Sequence, residues 1–367
     1  MHSIKWEYCN LVRIVSAIGA FERLVDFLPD NGRILLVTTA GFTRRGLSQK
    51  VIEQLGKARV LVFDEITPNP ELNDLDQATT RFVPEPITGI VAIGGGSVMD
   101  AAKVLSVTLP CGFSHPLHKV LREASGHQWQ KNLPVIAVPT TSGTGAEVTP
   151  FATVWDGRQK KKHSVTGELI YPQLALLDPE LTLSLPEQET LYTALDAISH
   201  SLESLWNNNR TPVSEAFATQ ALRLAIGAFP IVLGRPGDLT ARAKMQQASM
   251  LAGLAISQTR TAIAHSISYP LTIHYGVPHG LACSFTLIEI WKQCRYSASE
   301  ILNTDFVMKT MEMLEGLNLA NEMNKYVREE DVVGLIGEMF APERAGNYIM
   351  GMDRLALEKI LQLSLKK

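Results

Sequence analysis

Gly89-Ile-Val-Ala-Ile-Gly-Gly-Gly-Ser-Val-Met-Asp-Ala-Ala-Lys103 is the stretch on which the fold is decided. Five residues of unbroken apolar character read as a strand covered on both faces, as in a parallel sheet. Three glycines follow, which let the backbone take positive φ and approach a ligand closely. Ser97 and Asp100 stand at capping-box spacing, so a helix is predicted to start there. Amides at such a helix start bind anions, and a pyrophosphate is the obvious candidate. The spacing is not GxGxxG, and a plain tight turn would use the same residues nearly as well.

The neighbouring segments repeat this pattern. Arg33–Thr39, Arg59–Asp64, Leu133–Pro139 and Leu174–Asp178 are short apolar runs that read as strands. A helical pattern over Thr43–Gly56 separates the first two. Alternation of strands and helices predicts a parallel sheet with crossover helices. Thr140-Thr-Ser-Gly-Thr-Gly-Ala-Glu-Val-Thr149 is a second loop of small residues after a strand. Its hydroxyls suit phosphate or ribose oxygens, and equally a loop that caps the next segment. Gln159-Lys-Lys-Lys-His163 reads as a solvated turn. From Glu187 onward no strand is predicted. Leu191–Trp206, Pro212–Leu233, Leu239–Thr259, Ser284–Lys292 and Thr304–Leu317 show helical periodicity. The boundary is placed at Pro179: an α/β domain over 1–179 and an all-helical domain over 180–367.

The helical half carries a metal-ligand pattern. Asp196 and His200 lie four apart in Leu195-Asp-Ala-Ile-Ser-His-Ser-Leu-Glu203, one turn apart on one helix face. His265 and His279 follow, the latter in Pro278-His-Gly280. One carboxylate and three imidazoles suit iron or zinc. Core histidines with local hydrogen bonds explain the same residues equally well on this evidence alone.

Those residues, with the Gly-Gly-Gly-Ser-x-x-Asp-x-x-Lys and Thr-Thr-x-Gly-Thr elements, resemble the iron-containing (group III) alcohol dehydrogenases from about Gly32 to about Ser284. The resemblance implies a Rossmann-like dinucleotide-binding domain followed by an all-α metal-binding domain, a dehydroquinate synthase-like fold with the active site in the cleft between them. It implies Fe(II), or Zn, on Asp196, His200, His265 and His279. It implies NAD(P)H against Thr39, Gly94, Gly95, Gly96, Ser97, Thr140, Thr141, Thr144 and Lys162. Glu147, Asp100 and Lys103 are expected to hold local structure. The expected reaction is hydride transfer between NAD(P)H and a short aldehyde or alcohol. The alternative is a lyase of the dehydroquinate-synthase type, which calls for more Lys and Arg around its substrate than this chain offers. A homodimer is expected from the resemblance alone.

Three positions depart from the commoner family pattern. Tyr269 replaces a histidine four residues after His265, and with an ordinary pKa of about 10 it is a poor base at neutral pH. His274 is a weaker alternative as proton relay than as a structural residue. Arg260 lies five residues before His265, where an anion, from substrate or protein, is needed if it is buried. Thr39 stands where a carboxylate often selects NAD; its neutrality, with Arg44 and Arg45 nearby, predicts that NADPH is accepted. Tyr269 and Arg260, with their surrounding residues, resemble the phosphonate-associated branch of the family, which implies an anionic substrate held by Arg260.

The totals exclude other classes. The chain has 367 residues, 46% hydrophobic and 19% charged, with a net charge of −3. That gives no electrostatic case for nucleic acid or an anionic membrane. No apolar run is expected to span a membrane, and the N-terminus has no apolar signal core. Cys9, Cys111, Cys283 and Cys294 show no CxxC pairing and are expected to be reduced, buried thiols of a cytoplasmic protein.

Overall fold

The computed structural model describes residues 5–366. Contacts divide the chain into two compact units. One is Asn10–Thr141 with Ala146–Thr182; the other covers residues 183–366 and takes in Ser142–Gly145 and residues 5–9.

The α/β unit contains eight strands: β1 (Arg13–Ser16), β2 (Arg33–Val37), β3 (Val60–Phe63), β4 (Ile87–Gly94), β5 (Val135–Pro139), β6 (Phe151–Asp156), β7 (Lys161–Thr166) and β8 (Leu174–Leu177). Six form a parallel sheet in the order β1-β8-β5-β4-β2-β3. Alternate residues of β2 and β4 enter two cores. Ile34, Leu36, Val91 and Ile93 pack with Val51 and Leu55 of α2 (Leu47–Leu55), which follows the short α1 (Ala40–Arg44). Leu35, Val37, Ile90 and Ala92 pack on the other face with α3 (Leu72–Phe82) and α4 (Gly96–Thr108). The helix after β2 thus covers one face and the helix after β4 covers the other. Adjacent strands whose connections leave in opposite directions open a crevice at their carboxyl ends, where ligands bind in such sheets.

Three expectations need correction here. The predicted helix over Thr43–Gly56 is broken at Gly46, whose φ of 83° belongs to the left-handed region. The helix after the glycines does begin as expected, at Gly96, but no capping box forms. Ser97 Oγ instead accepts from Asn69 N (3.2 Å), and Asp100 Oδ2 accepts from Thr153 N (3.0 Å). The basic run is not a turn throughout: Lys161, Lys162 and His163 belong to β7, which pairs antiparallel with β6. Strand β1, a mostly exposed edge strand, and β6 lie outside the predicted strands.

Lys103 explains how this hairpin is tied to α4. Its fully buried Nζ donates to Thr149 Oγ1 (3.1 Å) and to Phe151 O (3.0 Å). Burial pulls its pKa down to about 8, against the pull of Asp100 and Glu147. Burial pushes the Glu147 carboxyl up to about 7. Lys103 thus holds structure, as its place in the sequence implied.

The second unit is helical. Its principal elements are α5 (Glu187–Leu205), α6 (Pro212–Gly234), α7 (Leu239–Thr259), α8 (Ile263–Tyr275) and the single turn α9 (His279–Ala282), followed by shorter helices ending with Arg354–Leu365. Helix α6 corrects the expectation about apolar runs. It is 23 residues long with a mean hydropathy of 1.6 over its most apolar window, enough to cross a membrane by length and composition. Its residues Ala218, Leu222, Ala225 and Phe229 sit in the core with Leu195, Ile198 and Leu202 of α5. Of the cysteines, Cys283 and Cys294 are buried, whereas Cys9 is exposed and Cys111 half-buried.

Candidate functional site

Helix α5 begins with Glu187 and Glu189, which favour the positive end of its dipole, and is buried almost continuously from Ala194 to Leu205. Asp196, His200 and Glu203 fall at i, i+4 and i+7, a single stripe. Helix α9 is pressed onto α5 because Gly280 has no side chain; a Cβ there would collide with the Tyr192 carbonyl. That approach delivers His279 and Cys283 to Asp196. Helix α8 delivers His265.

All of these groups converge on Asp196 Oδ1. His265 Nε2 is 3.4 Å away, His200 Nε2 3.5 Å, Cys283 Sγ 3.6 Å and His279 Nε2 3.8 Å. Ligand atoms of Asp196, His265, His279 and Cys283 lie within 4.8 Å of one another. Such imidazole-to-carboxylate distances are too long for good hydrogen bonds. They match the edges of a polyhedron whose ligands each lie about 2.0–2.2 Å from a central cation.

The outer contacts fix which imidazole nitrogens face inward. His265 Nδ1 meets Glu203 Oε2 at 2.6 Å, and His200 Nδ1 meets the Gly143 carbonyl at 3.3 Å. With those nitrogens carrying the protons, both Nε2 lone pairs point at Asp196. Buried His265 Nε2 then has no hydrogen-bond partner among the described residues. A buried nitrogen left in this way, beside a carboxylate and three further ligand-type groups, fits a divalent cation.

Glu203 is held as tightly as it holds. It is fully buried and accepts from Ala262 N, Ala264 N and His265 N at the start of α8. Burial opposes its charge, but His265 and these amides leave its pKa below the usual carboxylate range. Burial likewise opposes ionisation of Asp196, and the surrounding imidazoles, His200 first, still hold its carboxyl low. For His200 burial wins and lowers its pKa. For His265 burial is outweighed, Glu203 foremost, and its pKa rises.

His279 is the open member of the group, its side chain 36% exposed. The Tyr269 ring lies parallel to it at 6.2 Å, and the Arg344 guanidinium stands 4.6 Å over the Tyr269 ring. Burial pushes the Tyr269 hydroxyl up to about 12, so it donates hydrogen bonds at neutral pH. Arg260 closes α7 with φ 62° and ψ 176°, a conformation that is costly for any residue but glycine. Its carbonyl accepts from Asn207 Nδ2 (3.2 Å) and Thr259 Oγ1 (2.9 Å). His274 Nε2 pairs with Glu338 (2.8 Å), a structural contact away from the ligand cluster.

Glu203, Cys283 and Arg344 lie outside the site residues expected from the sequence. Glu203 was legible in principle, as an acid on the same stripe as Asp196 and His200. Cys283 and Arg344 carry no local signal.

In the α/β unit the nucleotide candidates line the carboxyl edge of the sheet. Thr38 Oγ1 donates to Ile93 O (2.8 Å) and Thr140 N to Gly94 O (2.9 Å), which ties the ends of β2, β4 and β5 together. Thr39, Gly94–Ser97, Thr140 and Thr141 are therefore neighbours. Gly94 lacks a Cβ where one would strike Val98, and Gly95 faces Thr141. Lys162 lies on β7 with Nζ 5.4 Å from the Trp155 ring. Arg45 lies over Phe42 at 4.5 Å, just beyond Thr39. Thr144 belongs to the Ser142–Gly145 segment of the helical unit.

Comparison with known proteins completes this picture. Residues 12–179 match the family described as "Iron-containing alcohol dehydrogenase", and residues 190–364 match "Fe-containing alcohol dehydrogenase family, C-terminal". This chain belongs to the iron-containing alcohol dehydrogenase family. It is 34% identical over 274 residues to a choline dehydrogenase of Bacillus subtilis, covering 73% of this chain and 67% of the relative. It is 41% identical over 201 residues to a phosphonoacetaldehyde reductase of Streptomyces viridochromogenes, 54% of this chain and about half (51%) of that relative. Among solved structures, the sulfoacetaldehyde reductase of Bifidobacterium kashiwanohense in complex with NAD+ superposes with a TM-score of 0.89 at 26% identity, covering 100% of both chains. As a member of this family the chain is an NAD-dependent oxidoreductase that interconverts alcohols and aldehydes. The lyase alternative draws no support from these relatives.

Proposed function

We propose that this alcohol dehydrogenase reduces a short aldehyde bearing an anionic group, a phosphonate, sulfonate or carboxylate. Residues 1–179 are assigned to the dinucleotide and residues 180–367 to the metal. The observation that carries the reading is the convergence of three imidazole Nε2 atoms on one oxygen of Asp196, at 3.4 to 3.8 Å. Asp196, His200, His265 and His279 would hold an iron(II) or zinc ion. When bound, the ion supplies Lewis-acid polarisation of a carbonyl oxygen and the nicotinamide supplies hydride.

The chain's residues do the rest. Glu203 fixes the tautomer of His265 and so aims its lone pair. Half-buried His279, the most accessible of the four, leaves the substrate side open. Tyr269 orients the substrate oxygen as a hydrogen-bond donor and does not act as base. Arg260 and Arg344 receive the anionic end, for which a planar guanidinium is suited. Support for an anionic substrate comes from two of the relatives, named for phosphonoacetaldehyde and sulfoacetaldehyde. Thr39, Gly94, Gly95, Gly96, Ser97, Thr140, Thr141, Thr144 and Lys162 bind the dinucleotide. Neutral Thr39 admits the 2′-phosphate of NADPH. A cytoplasmic homodimer completes the reading.

The test is metal analysis of the purified protein with kcat/KM for phosphonoacetaldehyde, sulfoacetaldehyde and propanal. Metal-dependent turnover is expected, and binding of NADH without turnover of any aldehyde would reject the reading. Arg260→Ala and Arg344→Ala are each expected to lower kcat/KM for the anionic aldehydes at least tenfold more than for propanal. Equal losses would make both arginines structural. NADPH is expected within tenfold of NADH in kcat/KM; a larger preference for NADH removes the role given to Thr39.

A further inference from the structure

Arg242 is a buried cation with no carboxylate partner among the described residues. It sits in the first turn of α7 and is 3% exposed. Nε donates to the Pro236 carbonyl (2.9 Å) and Nη1 to Thr190 Oγ1 (3.0 Å), both neutral acceptors. Nη2 is buried and has no partner among the described residues. The nearest acid in sequence, Asp238, is already engaged: Oδ1 caps Ala241 N at 3.0 Å, and Oδ2 lies 3.4 Å from Arg235 Nη2. A guanidinium stays protonated in proteins, so neutralisation by proton loss is closed to it. The positive end of the α7 dipole is close by and adds to the imbalance.

A small cavity opens beside this side chain, lined by Ser142, Thr190, Thr193 and Arg242 among apolar neighbours. Thr190 Oγ1 accepts from Arg242 and so keeps its own O–H to donate into the space. The Thr193 hydroxyl is turned away, donating to Glu189 O at 2.7 Å. The lining therefore offers cationic and hydroxyl donors and no anionic acceptor. Its room suits one water-sized body. A water would satisfy Nη2 but leave the charge unbalanced; a monoanion does both.

We propose that Arg242, Thr190 and Ser142 bind a small inorganic anion, of the size and charge of a halide, as a structural ligand. The site is separate from the metal cluster but braces it. Thr193 packs against Gly143, where a Cβ would collide with the Thr193 carbonyl, and the Gly143 carbonyl receives His200 Nδ1. Filling the cavity holds the loop that orients His200.

The experiment is thermal unfolding of the metal-loaded protein in sodium chloride, bromide, gluconate and sulfate at one ionic strength. It is paired with an anomalous difference map from crystals grown in bromide. Chloride and bromide are expected to raise Tm saturably by about 2–4 °C over gluconate. Sulfate, too large for the cavity, is expected to match gluconate. Arg242→Met is expected to abolish the halide effect, and a bromide peak is expected within reach of Nη2 and Thr190 Oγ1. A halide-independent Tm in the native protein, or water alone in the map, would overturn the inference. Loss of the halide effect on adding NADH would also overturn it, because the anion would then be standing in for a cofactor phosphate. Should Arg242→Met fail to fold, the bromide map on the native protein still decides.

Discussion

Glu203 never needs to touch the cation or substrate to govern the cluster. Its carboxylate accepts three backbone amides at the start of α8 and the Nδ1 proton of His265. Glu203→Gln keeps the shape but loses the charge, and an amide can present its NH2 to His265 and turn the ring. Outer partners of this kind are worth about 10- to 100-fold in metal affinity. Glu203→Gln is therefore expected to speed metal loss to a chelator by that order, read by metal content against time. Unchanged retention would reduce Glu203 to a helix cap. Arg260 offers a separate test at the same scale. Its backbone occupies a region with a cost of about 1–3 kcal/mol for a residue with a Cβ. Arg260→Gly is expected to unfold at higher urea than Arg260→Ala, while both lose preference for the anionic aldehyde. Equal stability of the two variants would show that no strain is stored there.

At the scale of elements, the β6–β7 hairpin is fastened through Asp156. Arg122 grips it with both Nε and Nη2, the latter at 2.8 Å, and the carboxylate also accepts from Arg158 N and Gln159 N. The Arg122 guanidinium holds the Asp156 carboxyl down to about 2. A depressed carboxylate pKa contributes stability above the unfolded value of 3.8, and that contribution fades as pH falls toward 2. Asp156→Asn is thus expected to cost about 2 kcal/mol at pH 7, with the gap in urea midpoint narrowing between pH 4 and pH 3. A gap independent of pH would mean the loss is packing, not charge. This hairpin is also where the sequence was least readable. Central strands such as β4 announce themselves because both faces are buried, giving unbroken apolar runs. Strand β7 buries only Val165, so its lysines look like a turn. The Asp196–His200 stripe was readable because a helix repeats locally. Cys283 joins that cluster only through the close approach of α9, and Arg344 only through the packing of the C-terminal region.

For the whole molecule, the ligand-type residues all lie in the helical unit, on α5, α8 and the segment from His279 to Cys283. A cation there would add a further link between three elements already joined by packing and by hydrogen bonds such as those of Glu203 to the start of α8 and of Ser199 to the Cys283 carbonyl. A ligand at 100 times its Kd stabilises the state that binds it by about 2.7 kcal/mol. Removing the metal should then loosen these elements selectively, because the six-stranded sheet contributes none of the ligands. Hydrogen exchange followed by mass spectrometry, with and without chelator, is the measurement. Faster exchange is expected over Ile263–Cys283 and the middle of α5, with the amides of β2, β4 and β5 unchanged. His265→Ala should reproduce the chelated pattern without chelator, since it removes the imidazole that α8 contributes. Uniform loosening of both units would mean that the metal controls global stability rather than this junction. Absence of any change would leave the Asp196 cluster a polar core, and the metal assignment would fall with it.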